Sequence, residues 1–255
     1  MIAKIGSSAH AALFAGILVC SRQERDRGEL LVKRRHWLTG CTLAATSGLA
    51  ALAPRTLFAA ASPGQSQDAR SAPQFLPLFP LGVVAFPGER ILLNVFEPRY
   101  KQLIAECAES GITFGIVTIV SGGASSVGTE MKLERILRTQ ESGVMDVAIR
   151  GVRVFRLEHF QREVEGKLYS GGLVFFDKNS PEIVPEIQGA LVQLYNRRQS
   201  RMGFREPLAP PYAENLSFLI GHDVGMSQAQ ELQMLTMSAE SDRQAHLLQQ
   251  LLRRP

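Results

Sequence analysis

The side chains that could act as nucleophiles are Cys107 and the serines of the segment Ser121–Ser126, SGGASS. A nucleophilic thiol or hydroxyl needs a general base beside it. The G-x-S-x-G elbow that exposes a nucleophilic serine is absent, and so is the phosphate-binding loop with its Gly-Lys-Ser/Thr ending. Cys107 lies at an apolar helical position, which favours a buried thiol, and SGGASS is typical of a hairpin loop. A hydrolase that uses Cys107 or one of these serines is therefore our alternative hypothesis.

The histidines are too scattered in the sequence to predict a metal site. There are five of them, and none forms an H-E-x-x-H motif: His10, His36, His159, His222 and His246. Of the three cysteines, only Cys107 lies beyond residue 61. One thiol can build neither an internal disulfide nor a cysteine-based zinc site. We expect no cofactor, no metal and no enzymatic activity.

Residues 1–61 have the features of an export signal. The run Lys33–Leu38, KRRHWL, resembles a twin-arginine signal, and Ala59–Ala61 fits an A-x-A cleavage site. Between them, Leu38–Ala53 is only weakly apolar and is shorter than the roughly 20 residues that a membrane span needs. We expect cleavage near Ala61, a periplasmic or exported protein, and membrane contact only during export. A cytoplasmic location is the alternative.

The positive charge is concentrated in this leader. Residues 1–61 hold eight of the 28 Lys and Arg residues but only three of the 24 Asp and Glu residues, so residues 62–255 are close to neutral. Nucleic-acid binding needs a clustered positive surface, and we therefore expect no nucleic-acid partner. Residues 62–74 are rich in Ser, Pro, Gln and Ala, which is typical of a flexible linker.

Residues 75–180 have the pattern of a small antiparallel β-barrel or sheet with one helix. Apolar and alternating runs predict strands, and a stripe at i, i+3, i+4 and i+7 (Tyr100, Leu103, Ile104, Cys107) predicts the helix Glu97–Glu109. Pro98 suits the first turn and Gly111 the C-cap of that helix. The predicted strands are Phe75–Phe79, Arg90–Phe96, Ile112–Val120, Thr129–Thr139, Val144–Ile149, Val152–Val164 and Tyr169–Phe176. Gly151 is expected to bend the chain between two of them.

Residues 181–255 predict a helical bundle, which makes the fold class α+β. Tyr212–Ile220 is expected to form a short helix, and Ser227 with Gln230 matches a capping box. Ser238 is expected to open the last helix. The apolar stripe of that helix is predicted to be buried: Leu247, Leu248, Leu251 and Leu252.

The stretches LPLFPLGVVAFPG and FEPRY, in Phe75–Tyr100, resemble the opening of the N-terminal substrate-binding domain of Lon proteases, in its stand-alone bacterial form. The resemblance continues in the family's order through Phe114–Val117, Val127–Thr129 and Gly151–Phe155. It implies a PUA-like β-domain followed by a helical bundle, which holds protein substrates without chemistry of its own. The implied partners are unfolded or apolar protein segments, with a protease or chaperone as a further partner.

The loop Leu81–Gly88 carries the candidate peptide-binding residues. Val83, Val84 and Phe86 lie between proline turns, and they must either fold back onto the core or remain exposed. Exposure of Phe86 beside Phe79 would create an apolar patch of the kind that marks interaction sites. We therefore predict a peptide-binding site at Phe79, Val83, Val84 and Phe86, with core packing as the alternative.

Overall fold

The apolar, proline-interrupted stretch Phe75–Tyr100 contains the first two strands and the start of the first helix. The computed structural model describes residues 72–203 and 207–253, and these lie in one compact unit. The strands are β1 (Gln74–Leu81), β2 (Arg90–Val95), β3 (Phe114–Val120), β4 (Gly123–Thr139), β5 (Met145–Gln161) and β6 (Ser170–Phe176). The helices are α1 (Pro98–Ser110), α2 (Pro185–Arg201), α3 (Leu216–Ile220), α4 (Gln228–Thr236) and α5 (Glu240–Leu252), with a 3-10 turn at His222–Val224.

Five of the six strands form a closed ring, which confirms the α+β class with a small barrel. The order is β5-β4-β3-β1-β6, and β6 pairs again with β5. The β1–β3 pair is parallel and the other pairs are antiparallel. The N-terminal half of β5 extends beyond the ring and pairs with β2 on one side and with the end of β4 on the other. These three segments form a ribbon that has two lateral edges.

Two apolar cores lie on opposite faces of the sheet. The barrel interior holds Leu76, Leu78, Val117, Phe155, Val174 and Phe176. The other face packs against α1, whose Tyr100, Leu103, Ile104 and Cys107 are buried as the helical spacing predicts. Pro98 begins α1 and Gly111 ends it in the left-handed conformation, at φ 67°. Helix α1 therefore fixes the core side of the ribbon.

The helices after β6 pack in a third core and are held by a buried ion pair. The Glu240 carboxylate accepts hydrogen bonds from the Ser217 amide and hydroxyl (2.8 and 2.6 Å) and from Arg243 (2.8 Å). Arg243 also donates to the Met237 carbonyl and to Asn179 Oδ1, both at 2.7 Å. A buried charge is tolerated when its partners satisfy it, so this network joins α3 and α5 to the segment after β6.

Several sequence-based boundaries are wrong, and within the sheet the reason is that strand pairing overrides local propensity. The predicted loop Ser121–Ser126 shrinks to the turn Ser121–Gly122, since β4 already pairs with β3 from Gly123. Gly151 does not separate two strands, because β5 continues through it as one strand. The short helix begins at Leu216 instead of Tyr212, and Ala239 caps α5 in place of Ser238. The Ser227–Gln230 capping box is confirmed. Leu252 is exposed, unlike the buried Leu247 and Leu251.

Candidate functional site

The predicted apolar patch in the loop after β1 is not on the surface. Phe79 and Phe86 are fully buried, Val84 is 3% exposed, and Val83 is half-buried. Phe86 is therefore not exposed beside Phe79, and the alternative of core packing holds for both residues. The two phenylalanines lie in different cores: Phe79 stacks on Tyr100 of α1, whereas Phe86 stacks on Phe218 of α3. A peptide-binding role for the four predicted residues remains a prediction.

The backbone of this loop is held by contacts from distant strands. The Thr129 hydroxyl donates to the Ala85 carbonyl at 2.6 Å, and the Thr118 hydroxyl donates to the Val83 carbonyl at 3.0 Å. A Cβ atom on Gly151 would lie 2.1 Å from the Phe86 carbonyl oxygen. Glycine at 151 is therefore required for the close approach of loop and strand. Because these contacts fix the loop, they also fix where β2 begins.

His222 links the end of the same loop to helix α4 through contacts with two carboxylates. Its Nδ1 lies 2.8 Å from Glu231, its Nε2 lies 3.2 Å from Glu89, and its ring stacks on Phe86. Burial lowers the pKa of His222, but hydrogen bonds and charge attraction from Glu231 and Glu89 outweigh it and raise the pKa to about 10. The imidazolium therefore links two carboxylates at neutral pH, one just before β2 and one on α4.

The geometry does not favour the hydrolase alternative. Cys107 is buried, and burial raises the pKa of its thiol to about 12, whereas a nucleophilic cysteine needs a thiolate. In the serine segment, the Ser125 hydroxyl accepts from the Thr118 amide at 3.0 Å and donates to the Val127 carbonyl at 2.6 Å. Neither residue has a histidine as a hydrogen-bond partner within the described ranges. Both contacts of Ser125 are structural.

A groove of about 330 Å³ lies where the sheet meets the helices. Its floor includes the buried Phe218 and Arg243, and its rim includes Pro87 and Arg153. The Arg243 donors are already engaged by Ser217, Met237, Asn179 and Glu240, and Arg153 pairs with Glu130 at 2.6 Å. The two arginines of the groove are thus already bound by other protein groups.

Among the residues that the structure describes, the outer edge of β2 has unpaired backbone groups. The strand pairs with β5 without any register shift, from Arg90 opposite Arg150 to Val95 opposite Met145. Within the described ranges no other backbone or side chain hydrogen-bonds to the main chain of residues 90–95. From Ile91 to Val95 the strand holds no charge, no proline and no glycine. It is a regular and uncharged edge.

The direction of these free groups follows from the antiparallel ladder. Just before β2, the Gly151 amide donates to the Glu89 carbonyl at 2.8 Å. Pairs along an antiparallel ladder alternate between bonded and non-bonded, so Ile91, Leu93 and Val95 bond to β5. The N–H and C=O groups of Arg90, Leu92 and Asn94 then point away from the sheet.

The corresponding edge of β4 differs from that of β2 in its register and in its charge. After Met131 this strand also pairs only with β5, and its register shifts between Leu133 and Arg135 and again between Ile136 and Arg138. Lys132, Arg135 and Arg138 are exposed along it. Bulges and charges are the devices by which proteins protect a free strand edge. The β4 edge is protected and the β2 edge is not.

The described residues contain neither a grouped metal-binding set nor a membrane-spanning helix. No three His, Cys, Asp or Glu side chains there are grouped so that they could hold a metal ion. None of the helices in the described ranges is both long and apolar enough to cross a membrane.

The described residues form a closed sheet with an appended ribbon and a helical pack, and neither Cys107 nor Ser125 is arranged there as a nucleophile. Residues 75–253 match the substrate-binding domain of ATP-dependent protease La (LON), and the chain belongs to that family. The resemblance in the sequence is thereby confirmed, and the chain is a substrate-binding module of the Lon type.

Solved structures agree with this assignment. The chain is similar to a Lon N-terminal domain protein from Xanthomonas campestris, with 29% identity and a TM-score of 0.55, over 71% of this chain and 98% of that one. It is also similar to the N-terminal domain of the Mycobacterium avium complex Lon protease, with 15% identity and a TM-score of 0.54, over 71% of this chain and all of that one. The second likeness shows the fold alone. A search of curated proteins finds no match.

Sequence reasoning missed the β2 edge as the place of interest. The strand itself was predicted, and its uncharged run from Ile91 to Val95 is visible in the sequence. The sequence does not show that β5 is the only described strand that pairs with β2, which leaves the other side of β2 without a strand partner. A signal existed in the contrast between this run and the charged run Lys132–Arg138.

Proposed function

We propose that this chain is a non-catalytic module that holds unfolded, apolar polypeptide segments in extended form along β2. The observation that carries the proposal is the regular, uncharged and unpaired edge of that strand. An extended peptide that adds to such an edge gains main-chain hydrogen bonds, while its alternate side chains meet those of the strand. Membership in a substrate-binding family supports a polypeptide as the ligand.

The side chains of β2 favour apolar clients. Ile91, Leu93 and Val95 are buried on the core face, and Leu92 is half-buried on the other. A client strand alternates its faces in the same way, so apolar residues at every second position would extend the row that Ile91, Leu93 and Val95 begin. Affinity should be about micromolar or weaker, because the client must lose its conformational freedom on binding.

The buried loop residues have a supporting role in this proposal. Phe86 and Val84 anchor the loop in the helical core, and Phe79 anchors β1 in the core under α1. We propose that these side chains, with Val83, fix the start of the β2 edge. A client that contacts them directly would have to displace the loop.

The test compares Leu92→Pro with Leu92→Ala. Proline removes the amide that points away from the sheet, and it leaves the ladder to β5 intact because Leu92 is a non-bonded position. Alanine keeps the amide and removes the side chain, so it is the matched control. We expect Leu92→Pro to weaken binding of a reduced, unfolded protein about tenfold, the scale of one net hydrogen bond, and Leu92→Ala to weaken it less.

Binding is measured by fluorescence anisotropy with the full chain, and folding of both variants is checked by circular dichroism. A folded Leu92→Pro variant that binds as tightly as the parent would remove β2 from the site. Failure of the parent to bind any unfolded protein would remove the proposed function itself.

We also propose export by the twin-arginine route. The support is the run Lys33–Leu38 and the Ala59–Ala61 site, both of which lie outside the described residues. A reporter that carries residues 32–74 should reach the periplasm, and replacement of Arg34 and Arg35 by Lys should stop it. Export of the double-Lys variant at the parental rate would contradict the proposal.

A further inference from the structure

The ribbon formed by β2, β5 and β4 gathers positive charge on its outer face. Cross-strand partners share a face of a sheet, and the register aligns Arg90, Arg150 and Lys132 in one row. Arg135 lies one row further along, opposite Ala148, and Arg138 lies opposite Asp146. We call these five cations and the surface between them the cationic face. It is notable because residues 62–255 are close to neutral overall.

Part of this charge is neutralised within the face. The Glu134 carboxylate lies 2.8 Å from Arg90 and 2.5 Å from Arg150. Asp146 accepts a hydrogen bond from the Asn94 amide at 2.7 Å. The remaining cations, Lys132, Arg135 and Arg138, are exposed and form no ion pair with any described residue.

The face also has a concave part. A shallow depression of about 390 Å³ is lined by Lys132, Leu133, Glu134, Arg150 and Val152. Val152 is 48% exposed, so an aliphatic side chain lies beside the free Lys132. A ligand for this surface needs negative charge and tolerates an apolar contact.

We infer that the cationic face binds an acidic polypeptide segment, at a site separate from the β2 edge. Charge complementarity is the first argument, because three cations that form no ion pair with a described residue lie along one strand beside a depression. The absence of aromatic side chains from the positions named on this face is the second. Single-stranded nucleic acids are held by basic grooves whose aromatic residues stack on the bases.

The probe is a labelled peptide in which Glu alternates with Pro. It offers no apolar side chain to extend the row Ile91, Leu93 and Val95, and the φ of about −65° that proline fixes disfavours an extended strand on β2, so its binding reports on the cationic face. A Lys-Pro peptide and an oligothymidylate of similar length are the comparison ligands. Leu92→Pro should leave binding of the Glu-Pro peptide unchanged, which separates this inference from the proposed function.

The test variant carries the double substitution Arg135→Glu/Arg138→Glu. The control, Arg162→Glu/Arg197→Glu, changes the net charge by the same amount elsewhere on the surface. All four arginines are exposed and lack ion pairs among the described residues. We expect the first pair to weaken binding of the Glu-Pro peptide about tenfold, which is the scale of two surface charge pairs. The control should change it less than about twofold, and added salt should weaken binding to the parent.

Equal losses in both double variants would reduce the effect to net charge and overturn the inference. Tighter binding of the oligothymidylate than of the Glu-Pro peptide, lost in Arg135→Glu/Arg138→Glu, would make the face a nucleic-acid surface and also overturn it. If that double variant fails to fold, Arg138→Gln must still weaken binding of the peptide, and unchanged binding would count against the site.

Discussion

The two edges of the ribbon show opposite treatments of the same problem. Both β2 and the end of β4 pair with β5 on one side only. The β4 edge carries two register shifts and three exposed cations, which discourage another strand from pairing with it. The β2 edge keeps a continuous register and carries no charge from Ile91 to Val95. The two edges of one ribbon thus differ in how readily another strand can pair with them.

The surroundings of the two edges differ as well. The start of β2 is fixed by the buried Phe86 and by the Glu89–His222 contact. The far end of β4 leads into an exposed hairpin at Ser142–Gly143, where Lys101 donates to the Ser142 carbonyl at 3.0 Å. A fixed strand loses less freedom when a partner pairs with it. The open edge is thus also the preorganised one.

Phe86→Ala should give the largest effect, because it removes the anchor before β2. The ring is fully buried, lies 5.4 Å from the Phe218 ring centroid, and would be 2.8 Å from a Cβ on Gly221. We expect the free energy of unfolding to fall by about 3–5 kcal/mol, the usual cost of emptying such a site. Urea unfolding of the variant and the parent measures it.

A loss below about 0.5 kcal/mol, the scale of surface substitutions, would mean that the loop is not anchored. Phe75→Ala is the control, because Phe75 is a phenylalanine that is 46% exposed at the start of β1. It should cost clearly less than Phe86→Ala. The difference between the two edges would lose its structural basis if both substitutions cost the same.

Leu92→Lys should give β2 a charge of the kind that discourages other strands from pairing with the β4 edge. A lysine on an edge strand disfavours pairing with apolar segments, and the substitution leaves the buried row Ile91, Leu93 and Val95 in place. We expect binding of an unfolded, apolar protein to weaken about threefold to tenfold, which corresponds to about 1 kcal/mol. Isothermal titration calorimetry with the parent and the variant measures it.

The reverse change on β4 is the matched control. Lys132→Thr/Arg135→Thr removes two charges but leaves the register shifts. It should not alter binding of the apolar client, because the shifts still disrupt the edge. A gain in affinity would show that charge alone separates the two edges.

The smallest effect concerns pH and the His222 contact. The folded pKa of about 10 lies above the ordinary 6.5, so folding binds a proton. The stability from this contact is fully present below pH 6.5 and is lost as pH rises towards and through about 10. His222→Gln should remove this part of the pH dependence, measured as Tm against pH. The effect should be modest, since the ring is 37% exposed and water screens the pair.

An unchanged slope of Tm against pH in His222→Gln would contradict this assignment. His159→Gln is the control, because His159 is exposed on β5. It should leave the slope as it is.

Local features of the chain were predictable from sequence. Helix α1 was found from the spacing of Tyr100, Leu103, Ile104 and Cys107, and the capping box of α4 from Ser227 and Gln230. Such signals depend on residues within a few positions of one another. The strands of the barrel were likewise found from their apolar runs, though β5 was divided at Gly151.

The candidate site was not predictable, because it depends on distant residues. Burial of Phe86 requires Gly151 and Phe218, which lie far along the chain. Which backbone groups of β2 remain unpaired depends on its pairing with β5, a strand about 50 residues later in the chain. The cationic face depends on the register of β4 after its bulges. Apolar composition pointed to the right segment of the chain, Phe75–Tyr100. It pointed to the loop side chains instead of the strand backbone beside them.

Amide hydrogen exchange, resolved by residue, tests the central claim most directly. The full chain is compared with and without an excess of a reduced, unfolded protein. Strand addition protects amides that were free before, so we predict slower exchange at Leu92 and Asn94. The amides of Lys132–Thr139 on β4 should exchange at the same rate in both samples. Unchanged exchange at Leu92 and Asn94 under conditions where binding is saturated would contradict the assignment of β2 as the polypeptide-binding edge.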